Sequence, residues 1–149
     1  MKIKDVMTKD IISCDINTSL KEASLMMLNY DIGFLPIKKN KKVVGVLTDR
    51  DIVTNGLANG NQKIEEIMQT NLIAIDENDA LSSAIELMKK NKIRRLLVKN
   101  DKKLVGVIAI SDIVNNFTKN KDIVEMLKCI LEINKNTDIS NLKVDDFEL

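Results

Sequence analysis

A stretch of 51 residues occurs twice in this chain, 61 positions apart. Ile3 to Val53 aligns with Ile64 to Val114 without a gap, and 19 of the 51 paired positions are identical. The pairs include Met7/Met68, Asp15/Asp76, Leu20/Leu81, Ala23/Ala84, Met27/Met88, Leu35/Leu96 and Gly45/Gly106. Chance does not produce that agreement. The chain is a tandem duplication, and a unit of this length is a small domain half rather than one turn of a solenoid. Whatever secondary structure one half adopts, the other is expected to adopt as well.

Each half reads as the same succession of elements. Ile3 to Met7 is a short apolar docking turn, and Ile11-Ile12-Ser13-Cys14 a buried strand. Ser19 with Glu22 fits a capping box, and Leu20, Ala23 and Met27 then share one face at helical spacing. That methionine-containing stripe is core. Phe34 to Ile37 is a second strand, in which Pro36 points to limited pairing. A polar hairpin centred near Asn40 leads to a third strand, Val43 to Leu47, and a second helix runs from Asp49 to about Leu57. Asn55-Gly56 and Asn59-Gly60 mark the connection. The order then repeats, with a docking turn at Ile64 to Met68 and a strand at Leu72 to Ile75. A helix capped by Asp79 buries Leu81, Ala84, Ile85 and Met88. Arg95 to Val98 and Leu104 to Ile108 follow as a hairpin, and a last helix starts near Ser111. The division expected is residues 1–58, a linker at 59–63, and residues 64–119. After it come an amphipathic helix at 120–134 (Ile123, Val124, Leu127, Ile130, Leu131) and a polar tail at 135–149 read as mobile.

The chemistry concentrates at Gly45-Val46-Leu47-Thr48-Asp49-Arg50-Asp51, where an apolar strand delivers the chain into a helix N-terminus. The first backbone N–H groups there lack helical partners, and the helix dipole favours negative charge. Thr48 adds a hydroxyl, and Asp51 a carboxylate that could accept from a ribose diol. Thr48-x-x-Asp51 is equally a capping-box variant, so the motif by itself admits a purely structural reading. It recurs in weakened form at Gly106 to Asp112, where Ala109 stands in place of Thr48.

Composition excludes several function classes. A net charge of +1 with mixed Lys and Asp/Glu gives no field for nucleic acid or an anionic membrane. No apolar run approaches a bilayer span, and the start of the chain lacks a signal-peptide core, so a cytoplasmic location is the expectation. There is no histidine, which removes the commonest general base and metal ligand. Cys14 and Cys129 have no metal spacing, and Cys14 pairs with Ile75 as a small core residue. No catalytic residues and no metal site are expected.

These residues carry a resemblance. The double β-α-β-β-α order, the G-h-h-T/S-x-x-D stretch ending at Asp51, and Ile32 to Ile37 ("I-x-x-L-P-I") resemble the cystathionine-beta-synthase (CBS) domain pair, or Bateman module. The likeness covers about Ile3 to Val114. It implies an α/β fold of two CBS repeats related by a pseudo-twofold axis, with clefts between them that bind adenosine-containing ligands. Such modules usually form disk-like homodimers and regulate rather than catalyse. Carried onto this sequence, the first cleft takes Val46, Thr48 and Asp51 from one repeat and Leu72, Ile73, Arg94 and Arg95 from the other. Arg50 and Ser111 are expected within reach of the same phosphates. Leu72, Ile73 and Val46 would sandwich adenine, Asp51 would accept from ribose, and Thr48, Arg94 and Arg95 would hold phosphate. The second cleft would take Ile11, Ile12, Phe34, Pro36 and Asp112. It has Gly33 and Phe34 where Arg94 and Arg95 stand, so it is expected to be empty, weak, or suited to a less charged adenosyl group.

Two functions follow. One is a regulatory module that binds AMP, ADP or ATP and signals to a separate protein partner, with S-adenosylmethionine or a cyclic adenine dinucleotide as other ligands; Asp51 disfavours NADP. The other is a constitutive dimerisation or adaptor protein with vestigial clefts. An enzyme is a distant third, since no acid–base or nucleophile set is present.

Overall fold

The structure is a computed structural model that describes residues 1–116; the expected helix at 120–134 and the tail at 135–149 lie outside the described residues. After a 3₁₀ turn at Ile3–Asp5, the first half runs β1 (Cys14–Asp15), α1 (Leu20–Tyr30), β2 (Phe34–Lys39), β3 (Lys42–Thr48) and α2 (Asp49–Asp51), which continues as a π-helical turn, Ile52–Leu57. The second half runs α3 (Ile64–Ile67), β4 (Ala74–Asp76), α4 (Leu81–Asn91), β5 (Arg95–Asn100), β6 (Lys103–Ala109) and α5 (Ile110–Asn116). Each half builds a three-stranded sheet, in the orders β1-β2-β3 and β4-β5-β6. The 61-residue shift maps one register onto the other. Leu35 pairs with Leu47 as Leu96 pairs with Ile108, and the same irregularity falls after Ile37 and after Val98.

Local expectations fare unevenly. Ser19 caps α1 as expected: its Oγ accepts from the Glu22 N–H at 3.1 Å, and Glu22 Oε2 accepts from the Ser19 N–H at 3.0 Å. The Ser19 N–H, and its hydroxyl donating to the same Oε2 at 2.9 Å, hold the Glu22 carboxyl below its ordinary pKa. Asp79 does not cap α4. Ala80 occupies the cap position with no side-chain bond, and the Asp79 carboxylate accepts from the Asp76 N–H instead, at 3.3 Å. The first strands are also shorter than expected. Ile11, Ile12, Leu72 and Ile73 lie ahead of them in irregular, half-buried segments.

Pro36 sits in a central strand and lies opposite Val46 of β3, so the limited pairing expected of it does not extend to that edge. Its effect appears on the other edge. In the second half, Leu97 donates its N–H to Ile73 O at 3.3 Å, and β4 begins at the Ala74–Leu97 pair. Proline has no N–H to donate. The corresponding pairing therefore starts one residue later, at Cys14–Ile37.

The docking turns are exchanged between the halves. Ile3 and Met7 precede the first sheet, yet they pack in the core of the second with Ile75, Leu81, Met88, Leu96 and Ile108. Ile64 and Ile67 join the first core, with Cys14, Ala23, Met27, Leu35 and Leu47. Backbone bonds fix the exchange. Ile3 and Lys4 donate to Asp79 O and Glu77 O at 3.1 and 2.9 Å, Thr8 pairs with Val107, and Gln69 pairs with Val46. The paired strand glycines make this approach possible. A Cβ on Gly45 would lie 2.5 Å from Met68 Sδ, and one on Gly106 would lie 2.6 Å from Met7 Sδ and 2.9 Å from Thr8 O. Each half thus completes the other in the same way, which is the reciprocity a twofold relation requires.

Candidate ligand-binding clefts

The exchange also builds two cavities. Pairing Gln69 with Val46 carries the segment to Ile73 past the end of β3. Pairing Thr8 with Val107 carries the segment to Ile12 past the end of β6. Each segment roofs a space walled by both halves.

The first cavity, of about 520 Å³, is lined by the expected Val46, Thr48, Arg50, Leu72, Ile73, Arg94 and Arg95. It also draws on residues the sequence did not single out. Lys92 is the left-handed C-cap of α4, at φ 55°, and the cap turns the chain so that this lysine enters the lining. Asp49 and Asn71 line it too, and Asp49 packs so closely on Gly33 that a Cβ there would lie 2.9 Å from Asp49 Oδ2. Four cationic side chains and one carboxylate thus surround an apolar strip of Val46, Leu72 and Ile73.

Asp51 is not part of that lining. It is 6 % exposed, and its carboxylate is engaged from within. Oδ2 accepts from the Thr48 N–H at 3.0 Å and from Thr48 Oγ1 at 2.7 Å, while Thr48 Oγ1 accepts from the Asp51 N–H at 3.1 Å. Gln69 Nε2 donates to both carboxylate oxygens, at 3.1 and 3.3 Å. The capping box is therefore complete, and Gln69 adds a clamp from the opposite half. Only Oδ1, with its single long bond, has accepting capacity left for a ligand hydroxyl. Gln69 was not found from sequence because its repeat partner is Thr8, and no motif marks it.

The second cavity, of about 250 Å³, is lined by Ile11, Ile12, Phe34, Pro36 and Asp112, the five residues expected there. Ser111 lines this cavity and not the first, so it does not join Arg50 as expected. Asp112 caps α5 by accepting from the Ala109 N–H at 2.8 Å. Asp10 and Asp31 bring the carboxylates to three. Asp31 is the left-handed cap of α1, the counterpart of Lys92. At equivalent positions the duplication has inverted the charge.

One expectation about this cavity fails. Its guanidinium groups were expected to be missing, but Arg95 lines both cavities. Its Cζ lies 5.9 Å from the centre of the Phe34 ring. Such a contact at an exposed site is worth about 0.5–1 kcal/mol. The sequence placed Arg95 correctly in the strand, but the reach of a long side chain across a cleft is not legible from its position.

Among the described residues, no group of three or more His, Cys, Asp or Glu side chains is placed to hold a metal ion, and no helix is long and apolar enough to cross a membrane.

Comparison with known proteins agrees with this architecture. The family model for the CBS domain matches twice, over residues 3–57 and 64–119. The chain is similar to the CBS domain-containing protein YhcV of Bacillus subtilis, 32% identical over 122 residues that cover 80% of this chain and 87% of that protein. It is also similar to Hypoxic response protein 1 of Mycobacterium tuberculosis, 30% identical over 132 residues, covering 85% of this chain and 92% of that protein. Among solved structures, the CBS domain pair of protein MJ0100, in complex with 5′-methylthioadenosine and S-adenosyl-L-methionine, superposes with a TM-score of 0.74 at 32% identity. That match covers 79% of this chain and 96% of the other. Two matched repeats, two equivalent sheets and reciprocal docking turns lead to one assignment: the chain belongs to the CBS domain family, as a tandem pair.

Proposed function

We propose that this protein is a regulatory CBS pair that binds an anionic adenine nucleotide of the AMP, ADP or ATP class in the first cavity and signals its occupancy to a separate protein. The observation that carries this reading is the gathering of Arg50, Lys92, Arg94 and Arg95 around the apolar strip of Val46, Leu72 and Ile73. A flat base suits the strip, and charge-assisted bonds from arginine suit phosphate. The adenosyl ligands of the MJ0100 domain pair support the base and ribose part of the reading. The second cavity, with three carboxylates and half the volume, is better matched to an adenosyl ligand without phosphate, such as 5′-methylthioadenosine or S-adenosylmethionine. A homodimer is part of the proposal, supported by exposed Leu25, Leu28, Tyr30, Val53 and Leu57 on the outer helices of the first half. So are a cytoplasmic location and the absence of catalysis.

The test is a thermal-shift panel of AMP, ADP, ATP, cyclic adenine dinucleotide and S-adenosylmethionine on wild type and on Arg94→Ala. Arg94 is exposed and contributes a side chain to the first cavity only, so its loss weakens phosphate binding without disturbing the core. A ligand at 100 times its Kd adds about 2.7 kcal/mol to stability. The midpoint of wild type should rise with a nucleotide and rise much less in Arg94→Ala. Equal shifts in both would remove the first cavity from the reading. No shift with any ligand would favour the constitutive adaptor.

A further inference from the structure

Arg95 belongs to both cavities, so anions in the two would draw on the same guanidinium charge. It is exposed, makes no salt bridge among the described residues, and rests over the Phe34 ring, which itself lines both spaces. Nothing in that resting contact holds it firmly: an exposed cation over a half-buried ring is bound more weakly than a guanidinium on a phosphate or carboxylate. On one side stand the three other cations of the first cavity with a single carboxylate, Asp49, so the net positive charge there repels it until an anion arrives. On the other stand Asp10, Asp31 and Asp112.

We propose that Arg95 links the two cavities, so that the charge of whatever occupies the second sets the phosphate affinity of the first. This rests on the nucleotide reading above. Phosphate in the first cavity draws the guanidinium off Phe34 and away from the second. An anionic group in the second cavity competes for the same guanidinium and weakens nucleotide binding. A cationic adenosyl ligand there neutralises the carboxylates, releases Arg95 to the first cavity and strengthens it. By linkage, nucleotide in the first cavity must favour cationic over anionic ligands in the second by the same factor.

The test installs the anion covalently. Ala109 lies directly opposite Arg95 in the β5–β6 register and lines the second cavity only. AMP affinity is measured by calorimetry for wild type, A109E, its uncharged size control A109Q, R95A, and the double variant A109E/R95A. Ser111→Glu places the same charge on an exposed residue of that cavity, and serves if A109E does not fold. Each glutamate variant should weaken AMP about tenfold relative to its uncharged control (Ser111→Gln for the second), and R95A should abolish that difference. Equal affinities for the glutamate and glutamine variants overturn the inference, as does a glutamate penalty that persists without Arg95. Absence of AMP binding by wild type overturns the nucleotide reading itself, and that outcome is distinct from both.

Discussion

Asp51 shows how one side chain can be committed before a ligand arrives. A buried carboxylate without partners would cost several kcal/mol, and this one has Thr48 on one oxygen and Gln69 across both. Its first role is therefore to close the N-terminus of α2 and to pin the second half's incoming segment to the first. Asp51→Ala should lower the stability of ligand-free protein by about 1–3 kcal/mol, from the lost cap and the polar groups left unpaired. Chemical denaturation in the absence of nucleotide checks it, and an unchanged midpoint would refute the clamp. The Asp51→Ala variant thus confounds stability with binding, whereas Arg94→Ala isolates binding. The sequence offered cap and ligand readings of Thr48-x-x-Asp51 and had no means of choosing, because Gln69 lies 18 residues away with no motif around it.

At the scale of elements, the duplication works as an internal mutant series. α1 and α4 have equal lengths of 11 residues and matching left-handed caps at Asp31 and Lys92, but only α1 has a side-chain N-cap. Ala80 is exposed and its φ of −71° and ψ of 147° nearly match those of Ser19 at −69° and 155°, so a hydroxyl would find its geometry ready. Ala80→Ser should stabilise the protein by about 0.5–1 kcal/mol, read as a raised thermal midpoint, since Ser19 keeps its cap beside the equivalent Ser19–Lys63 bridge; an unchanged midpoint would refute the reading of Ala80 as a cap position left empty. The elements themselves were largely legible, since Leu20, Ala23 and Met27 recur as Leu81, Ala84 and Met88 and alternate structures would have to suit both copies. What was not legible was decided by neighbours. The strands at Cys14 and Ala74 are cut short because Ile11, Ile12, Leu72 and Ile73 leave the sheet to line the clefts. The π-helical turn at Ile52–Leu57 encloses Asn55 and Gly56, both poor helix formers, and a Cβ added at Gly56 would lie 3.3 Å from Leu20 Cδ1.

At the scale of the whole molecule, the exchange of docking turns makes each core depend on a segment from the other half. It also places the clefts. Because Ile64–Ile67 is anchored in the first core, the chain must pass Val46 on its way to β4, and that passage is the roof of the first cavity. A chain with each turn docked on its own half would have the same residues and no composite cleft. The exchange predicts where damage will appear. Ile3 is fully buried among Ile75, Leu81, Leu96 and Ile108, although 72 residues separate it from Ile75. Ile3→Ala should cost about 2–5 kcal/mol, the usual range for emptying such a site. Hydrogen exchange should then show protection falling first in β4 to β6 and α4, while β1 to β3 keep theirs until global unfolding. Ile64→Ala should produce the mirror image, loosening β1 to β3 and α1. If each variant instead weakened the half that contains it in sequence, the turns would dock locally, and the cavity between Val46 and Ile73 would lose the constraint that forms it.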